Sequence, residues 1–193
     1  AETDDPRELH RIEADALDPL AAPDAEDVAS LFYTSGTTGP PKGVPLTHRN
    51  LVGNIQAILS QDLVHAGDRV LLPLPLHHSY PFIVGMLIPL MVGATIVLPA
   101  GVSGPEIRLA LAQGEVGIMV GVPRLYSALA DGLSQRLRQG GAVEKAMYGL
   151  LGLSGRLRRY LGLRWGRTLL WPLHKRLAPK LRLLASGGAK LEA

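Results

Sequence analysis

Tyr33-Thr34-Ser35-Gly36-Thr37-Thr38-Gly39-Pro40-Pro41-Lys42-Gly43 separates two apolar runs, Leu31–Thr34 and Val44–Leu46. The runs suit buried strands, and the segment between them is a loop by every local signal. Thr34 to Gly43 holds four small hydroxyl residues, three glycines and a lysine. Glycine lets backbone N–H groups turn inward, and clustered amides form an anion-binding concavity. The hydroxyls add donors, and Lys42 adds a point charge suited to phosphate. Pro40-Pro41 stiffens the return and fixes where Lys42 projects. Most Gly/Ser/Thr stretches are plain surface turns, but this one contains the parts needed to hold a polyphosphate. It is not a Walker loop, because the G-x-x-x-x-G-K-[ST] spacing is absent and a strand follows instead of a helix.

Outward from this loop, strand and helix signals alternate. Thr47 suits an N-cap for a helix through Leu51, Ile55, Ile58 and Leu59. Val70–Leu74 reads as a strand, Pro81 to Met91 as a buried helix ended by Gly93-Ala94, and Thr95–Leu98 as a further strand. Pro105 sits in the first turn of a helix reaching about Gln113. Val116–Val122 is the next strand, and Pro123 opens a helix carrying Leu125, Leu129, Leu133 and Leu137. Leu181–Ala185 is the last strand, running into Ser186-Gly187-Gly188-Ala189. This alternation predicts an α/β layered domain with a largely buried sheet. Residues 81–100 carry no charge over the nominal length of a membrane span. Pro81, Pro89, Pro99 and the Gly93 break instead favour a buried helix followed by a buried strand.

The chain has 193 residues, 47% of them hydrophobic, with 22 Gly, 15 Pro and no Cys. That excludes disorder, a collagen repeat, a disulfide framework, a thiolate zinc site and a cysteine nucleophile. No secretory signal stands at the N-terminus, so a cytoplasmic protein is expected. The net charge of +3 conceals an asymmetry: residues 1–30 carry ten acids against Arg7 and Arg11, and residues 134–182 carry twelve bases against Glu144. Such blocks speak about surfaces and partners. With 5% aromatic residues and no recognition motif beside the arginines, nucleic acid is not an expected partner.

Tyr33 to Val44 resembles the signature phosphate loop of the adenylate-forming superfamily: acyl-CoA synthetases, peptide-synthetase adenylation domains and luciferases. Four further segments resemble that family's landmarks in its order. They are Thr47-His48-Arg49-Asn50-Leu51; Leu74-Pro75-Leu76-His77-His78-Ser79-Tyr80, like its Pro-Leu-x-His-x-aromatic segment; Gly121-Val122-Pro123-Arg124-Leu125-Tyr126, like its Val-Pro turn; and Ser186-Gly187-Gly188-Ala189-Lys190-Leu191, like its Ser-Gly-Gly-Ala-Pro-Leu loop. Lys190 stands where proline is usual. The resemblance implies attack of a carboxylate on the α-phosphate of ATP, release of pyrophosphate, and transfer of the acyl group to a thiol, usually that of coenzyme A. It makes Thr34, Ser35, Gly36, Thr37, Thr38, Gly39 and Lys42 phosphate-contact candidates, with Lys42 also catalytic. It places His78 near the α-phosphate as a catalytic candidate, and Gly187, Gly188 and Ala189 along the acyl and adenine pockets. His77 reads as a packed or capping histidine.

The family's aromatic-Gly-x-Thr-Glu segment, whose glutamate helps hold Mg2+, occurs nowhere here. The chain therefore reads as a fragment of the large N-terminal domain: an acidic lead-in at 1–27 and a partial AMP-binding domain at 28–193. The phosphate loop lies at 33–44 and a basic helical insert at about 127–185. No metal ligand is assigned to it, and alone it is expected to be inactive. The insert resembles that of long-chain fatty acyl-CoA synthetases, which implies a fatty-acid substrate. Its Leu, Trp and Arg pattern over 145–177 suits either an ordinary domain helix or an anionic membrane surface on the cytoplasmic side. Two alternatives stay open: a fatty acyl-AMP ligase serving a carrier-protein thiol, and a non-catalytic membrane- or nucleotide-binding module.

Overall fold

The computed structural model describes residues 22–34, 40–161, 171, 174–175 and 178–190, with backbone alone over 154–161. Strands β1 (Val28–Thr34) and β2 (Lys42–Thr47) pair antiparallel, with Thr34 opposite Lys42. Helix α1 (His48–Leu59) follows without a break. Its start is the expected Thr47 cap, completed by a reciprocal partner: the Asn50 N–H donates to Thr47 Oγ1 at 3.3 Å, and the Thr47 N–H donates to Asn50 Oδ1 at 3.1 Å.

The main sheet is parallel, in the order β4 (Thr95–Val97), β3 (Arg69–Leu71), β5 (Ile118–Gly121), β6 (Leu183–Ser186). These strands are shorter than the apolar runs that announce them. Pro73 and Pro75 remove ladder donors after β3, and β6 begins two residues later than expected and runs one further. Period-two alternation assigns the faces. Leu71 and Met119 pack with Ile107, Leu125 and Leu129, under α3 (Gly104–Gln113) and α4 (Pro123–Gln139). Val70, Ile118 and Val120 face the other way, against Tyr80 and Val84. Beyond them Ile83 and Ile88 join Leu51 and Ile55 of α1 in a further cluster. Sheet and helices are thus layered as expected.

In the uncharged stretch 81–100 the strand is not the buried one expected, since β4 lies at the sheet edge and has no buried residue. The helix before it buries Ile83, Ile88 and Pro89 but exposes Leu90 and Met91. Its first part, Pro81–Leu87, is π-helical, and α2 (Ile88–Val92) continues it. Pro89 brings no N–H to the carbonyl one turn back, and the Ile88 N–H bonds to Ile83 O, five residues away. Gly93 ends α2 in the left-handed region at φ 76°. Among the described residues no helix is long and apolar enough to cross a membrane. Ser103 and Glu106 cap α3 as a second reciprocal pair. Helix α5 (Ala142–Leu161) lies beside α4, where the Arg138 guanidinium sits 4.7 Å over the Tyr148 ring.

Two features prepare the site. From β3 the chain moves outward to β4, returns across β3 to β5 and continues to β6. The connections after β3 and β5 therefore leave on opposite faces, the arrangement that opens a crevice at the carboxyl ends of a parallel sheet. Phe32 of β1 also meets Phe82 edge-on, with ring centroids 5.4 Å apart. That contact brings the tip of the β1–β2 pair toward the crevice.

Candidate active site

A cleft of about 380 Å³ opens there. Four separate segments line it: Phe32, Tyr33 and Thr34 at the end of β1; Leu74, Pro75 and His77 to Pro81 after β3; Val122 after β5; and Gly188 after β6. They come from the expected phosphate loop, histidine segment, Val-Pro turn and Ser-Gly-Gly loop. The fold alone brings them together, since Thr34 and Gly188 stand at opposite ends of the chain.

Thr34 lines the cleft, and its hydroxyl donates to the Lys42 carbonyl at 3.4 Å. Lys42 is exposed at the start of β2, across the pair from Thr34. Ser35, Gly36, Thr37, Thr38 and Gly39 lie outside the described residues. His78 is exposed on the cleft wall, and its carbonyl accepts from the Phe82 N–H at 3.1 Å. His77 shares that wall, its ring centroid 4.3 Å from that of His78. It is exposed and not packed inside, so the two imidazoles form one surface. Gly188 lines the cleft with φ 74°, a conformation in which a side chain is strained. Gly187 stands just behind it. Ala189 is exposed and is not part of the lining.

Tyr80 is the residue that sequence reasoning left unassigned. Its ring packs in the core cluster of Val70, Ile118 and Val120 and lies against Gly187. Burial pushes its phenol up to about 12. Its hydroxyl is buried without a hydrogen-bond partner among the described residues. The signal was present in the motif's aromatic position, two residues after His78, and in the paired glycines that leave room for a ring.

No carboxylate lines the cleft among the described residues, and its polar side chains are the hydroxyls of Thr34 and Ser79, two imidazoles and the phenols of Tyr33 and Tyr80. Such a lining accepts an anion without like-charge repulsion. The apolar walls of Phe32, Leu74, Pro75, Pro81 and Val122 suit a ring or chain. Among the described residues no group of three or more His, Asp or Glu could hold a metal ion. A second groove of about 380 Å³ lies between α3 and α4, lined by Ile107, Leu111, Leu129 and Leu133. None of the sequence-marked site residues borders it.

Comparison with known proteins agrees with this architecture. The chain is 46% identical over 85 residues to a sulfoacetate–CoA ligase of Cupriavidus necator, covering 44% of this chain and 17% of the relative. It is 30% identical over 192 residues to the peroxisomal long chain acyl-CoA synthetase 7 of Arabidopsis thaliana, covering 91% of this chain and 25% of the relative. It thus spans a quarter or less of the length of these curated relatives. Among solved structures, the inhibitor-bound N-terminal domain of FACL13 from Mycobacterium tuberculosis shares the fold. The TM-score is 0.63 at 24% identity, over 93% of this chain and 35% of that one. The family described as AMP-binding enzyme matches residues 1–193, and the chain belongs to that family.

Proposed function

We propose that the full-length protein is an AMP-forming acid–thiol ligase that activates a fatty acid as its acyl-adenylate and passes the acyl group to coenzyme A. One observation carries this reading: four sequence-distant segments of adenylate-forming type converge on one cleft that has no carboxylate among the described residues. In this reading ATP enters with its β- and γ-phosphates toward the 34–42 loop. Thr34, Ser35, Gly36, Thr37, Thr38, Gly39 and Lys42 hold them and offset charge on the departing pyrophosphate. His78 stands beside the α-phosphate, where the carboxylate oxygen attacks and the pyrophosphate bond breaks. Gly187, Gly188 and Ala189 border the ring and the acyl chain. Mg2+ would be held by residues outside this chain.

A fatty acid is favoured because the alignment with the long chain acyl-CoA synthetase runs through the insert, over 91% of the chain. The shorter match to a sulfoacetate–CoA ligase covers 44%. The test is acid-dependent ATP–pyrophosphate exchange by the full-length protein across a panel of acids, followed by thiol transfer. Exchange with C8 to C18 fatty acids, and thioester formation with coenzyme A, is the expected result. Exchange only with short or aromatic acids would remove the fatty-acid assignment, and no exchange with any acid would remove the ligase reading. The 193-residue chain by itself is expected to show none.

A further inference from the structure

Past Ser186 the chain leaves the parallel ladder, whose last pair is Gly121 with Ser186. One backbone bond reaches beyond that pair, from the Gly187 N–H to Gly121 O at 3.3 Å. What fixes the loop is side-chain support from two tyrosines. From above, the Tyr80 ring covers Gly187 and approaches Gly188. From below, Tyr126 in the first turn of α4 places its hydroxyl 2.7 Å from Ala185 O and 3.0 Å from Met119 O. The single phenolic proton has its shorter path to Ala185 O, one residue before the ladder ends. Gly121 makes that reach possible, because a Cβ there would lie 2.6 Å from Tyr126 Cζ. Burial raises the Tyr126 phenol, with neighbouring Tyr80 adding to the rise. It therefore stays a donor through the neutral range.

We propose that Tyr126 is a positioning residue for the ligand-binding loop Ser186–Gly188, its hydroxyl tying the end of β6 to β5 so that Gly188 is held at the cleft wall. The two carbonyls it bonds, of Ala185 and Met119, do not line the cleft. It acts through the backbone, joining α4, β5 and β6 at the point where the strand becomes the loop. Val122, three residues after Met119, lines the same cleft, so one side chain sets the spacing of two wall segments. Small misplacement of positioning groups has large kinetic effects, about 100-fold for 1 Å. A glycine pair outside its ladder has little stiffness of its own.

The inference rests on the ligase reading for its kinetic arm only. The test is Tyr126→Phe in the full-length protein, which keeps the ring and removes the donor. Amide exchange of residues 186–188, measured without substrate, is expected to quicken about ten-fold while β3 is unchanged. In pyrophosphate exchange, KM for the acid is expected to rise about ten-fold, with kcat changed less than about three-fold. Incorporating 4-aminophenylalanine at position 126 restores a para donor and is expected to return both readouts to within about two-fold of wild type. A lower melting temperature with loop exchange and KM unchanged would overturn the proposal, as would failure of the para donor to rescue. If Tyr126→Phe yields no folded protein, the 4-aminophenylalanine protein is compared directly with wild type, and ten-fold faster loop exchange overturns it. Absence of acid-dependent exchange in the wild type would count against the ligase reading, and the substrate-free arm would still decide the role of Tyr126.

Discussion

The Tyr80 ring lies over Gly187 so closely that a Cβ at residue 187 would stand 2.4 Å from Tyr80 Cε2. Glycine is needed here for space, whereas at Gly188 the need is conformational, since φ is 74°. Gly187→Ala must push the ring or the loop away. Overpacking of this kind costs about 1–3 kcal/mol, and because the loop borders the cleft, activity should fall together with stability. A fall in kcat/KM of about ten-fold or more is expected in pyrophosphate exchange, with a melting temperature lowered by a few degrees. Unchanged kinetics would separate the loop from the site.

Lys42 stands across the β1–β2 pair from Thr34, at the base of the loop that would hold the phosphates. Lys42→Ala removes a point charge without touching a buried contact, because the residue is exposed. The expected result is a KM for ATP raised about ten-fold or more, with thermal stability unchanged within about 0.5 kcal/mol. Lys42→Arg should recover part of the affinity, since charge is restored with different geometry. Wild-type kinetics in Lys42→Ala would remove the residue from the site.

At the opposite end of the sheet, the Asp68 carboxylate gathers two donors. Its Oδ2 accepts from the His65 N–H at 2.8 Å and from Arg182 Nη2 at 2.6 Å, and the His65 ring stands 3.6 Å away. Burial opposes the charged carboxylate, but the His65 amide and the Arg182 guanidinium outweigh it and hold the group below its ordinary value. A depressed folded value means that this stabilisation is complete above the unfolded value, near 4. It is lost as pH falls through the lower folded one. Asp68→Asn should therefore lower stability by roughly 1 kcal/mol at pH 7, discounted for solvent screening. The difference from wild type should shrink below about pH 4. Denaturant unfolding at pH 7 and pH 3 checks the sign; an equal difference at both would assign the effect to shape and not to charge.

Much of this arrangement was legible beforehand because its signals are local. The Thr47 cap, Pro105 and Pro123 at helix starts, and the Gly93 stop each act within one turn. In the parallel sheet apolar runs overran the strands, because the ladder stops where proline removes a donor, as after Leu71. Strands β1 and β2 instead extend past the runs Leu31–Thr34 and Val44–Leu46. The burial expected of them is not found, since Leu31, Tyr33 and Val44 are exposed. The π-helical turn over Pro81–Leu87 was hidden for a related reason, since helical spacing does not report which carbonyl an N–H chooses. The candidate site was legible as motifs and not as a surface. His77 and His78 differ little in sequence context, yet both line the cleft. Tyr80 and Tyr126 take their roles from glycines 107 and 5 residues away, at 187 and 121.

The basic stretch 145–177 offers the remaining test. Its residues beyond 161 lie mostly outside the described ones, but two cation–ring contacts mark its flanks: Arg138 over Tyr148 at 4.7 Å and Lys175 over Trp171 at 4.8 Å. Trp171 is 55% exposed, and an indole beside a cation suits the boundary between headgroups and acyl chains. We propose that the stretch 145–177 meets an anionic membrane surface, from which a fatty acid would be taken up. Full-length protein should co-sediment with vesicles containing 30% phosphatidylglycerol and not with pure phosphatidylcholine vesicles, at about 0.1 M salt. Each base near the surface contributes about 1 kcal/mol. Replacing Arg156, Arg158 and Arg159 by Gln should therefore weaken binding by about two orders of magnitude, and raising salt to about 0.5 M should release the wild type. Binding indifferent to salt and to lipid charge would assign these arginines to an ordinary solvated helix face.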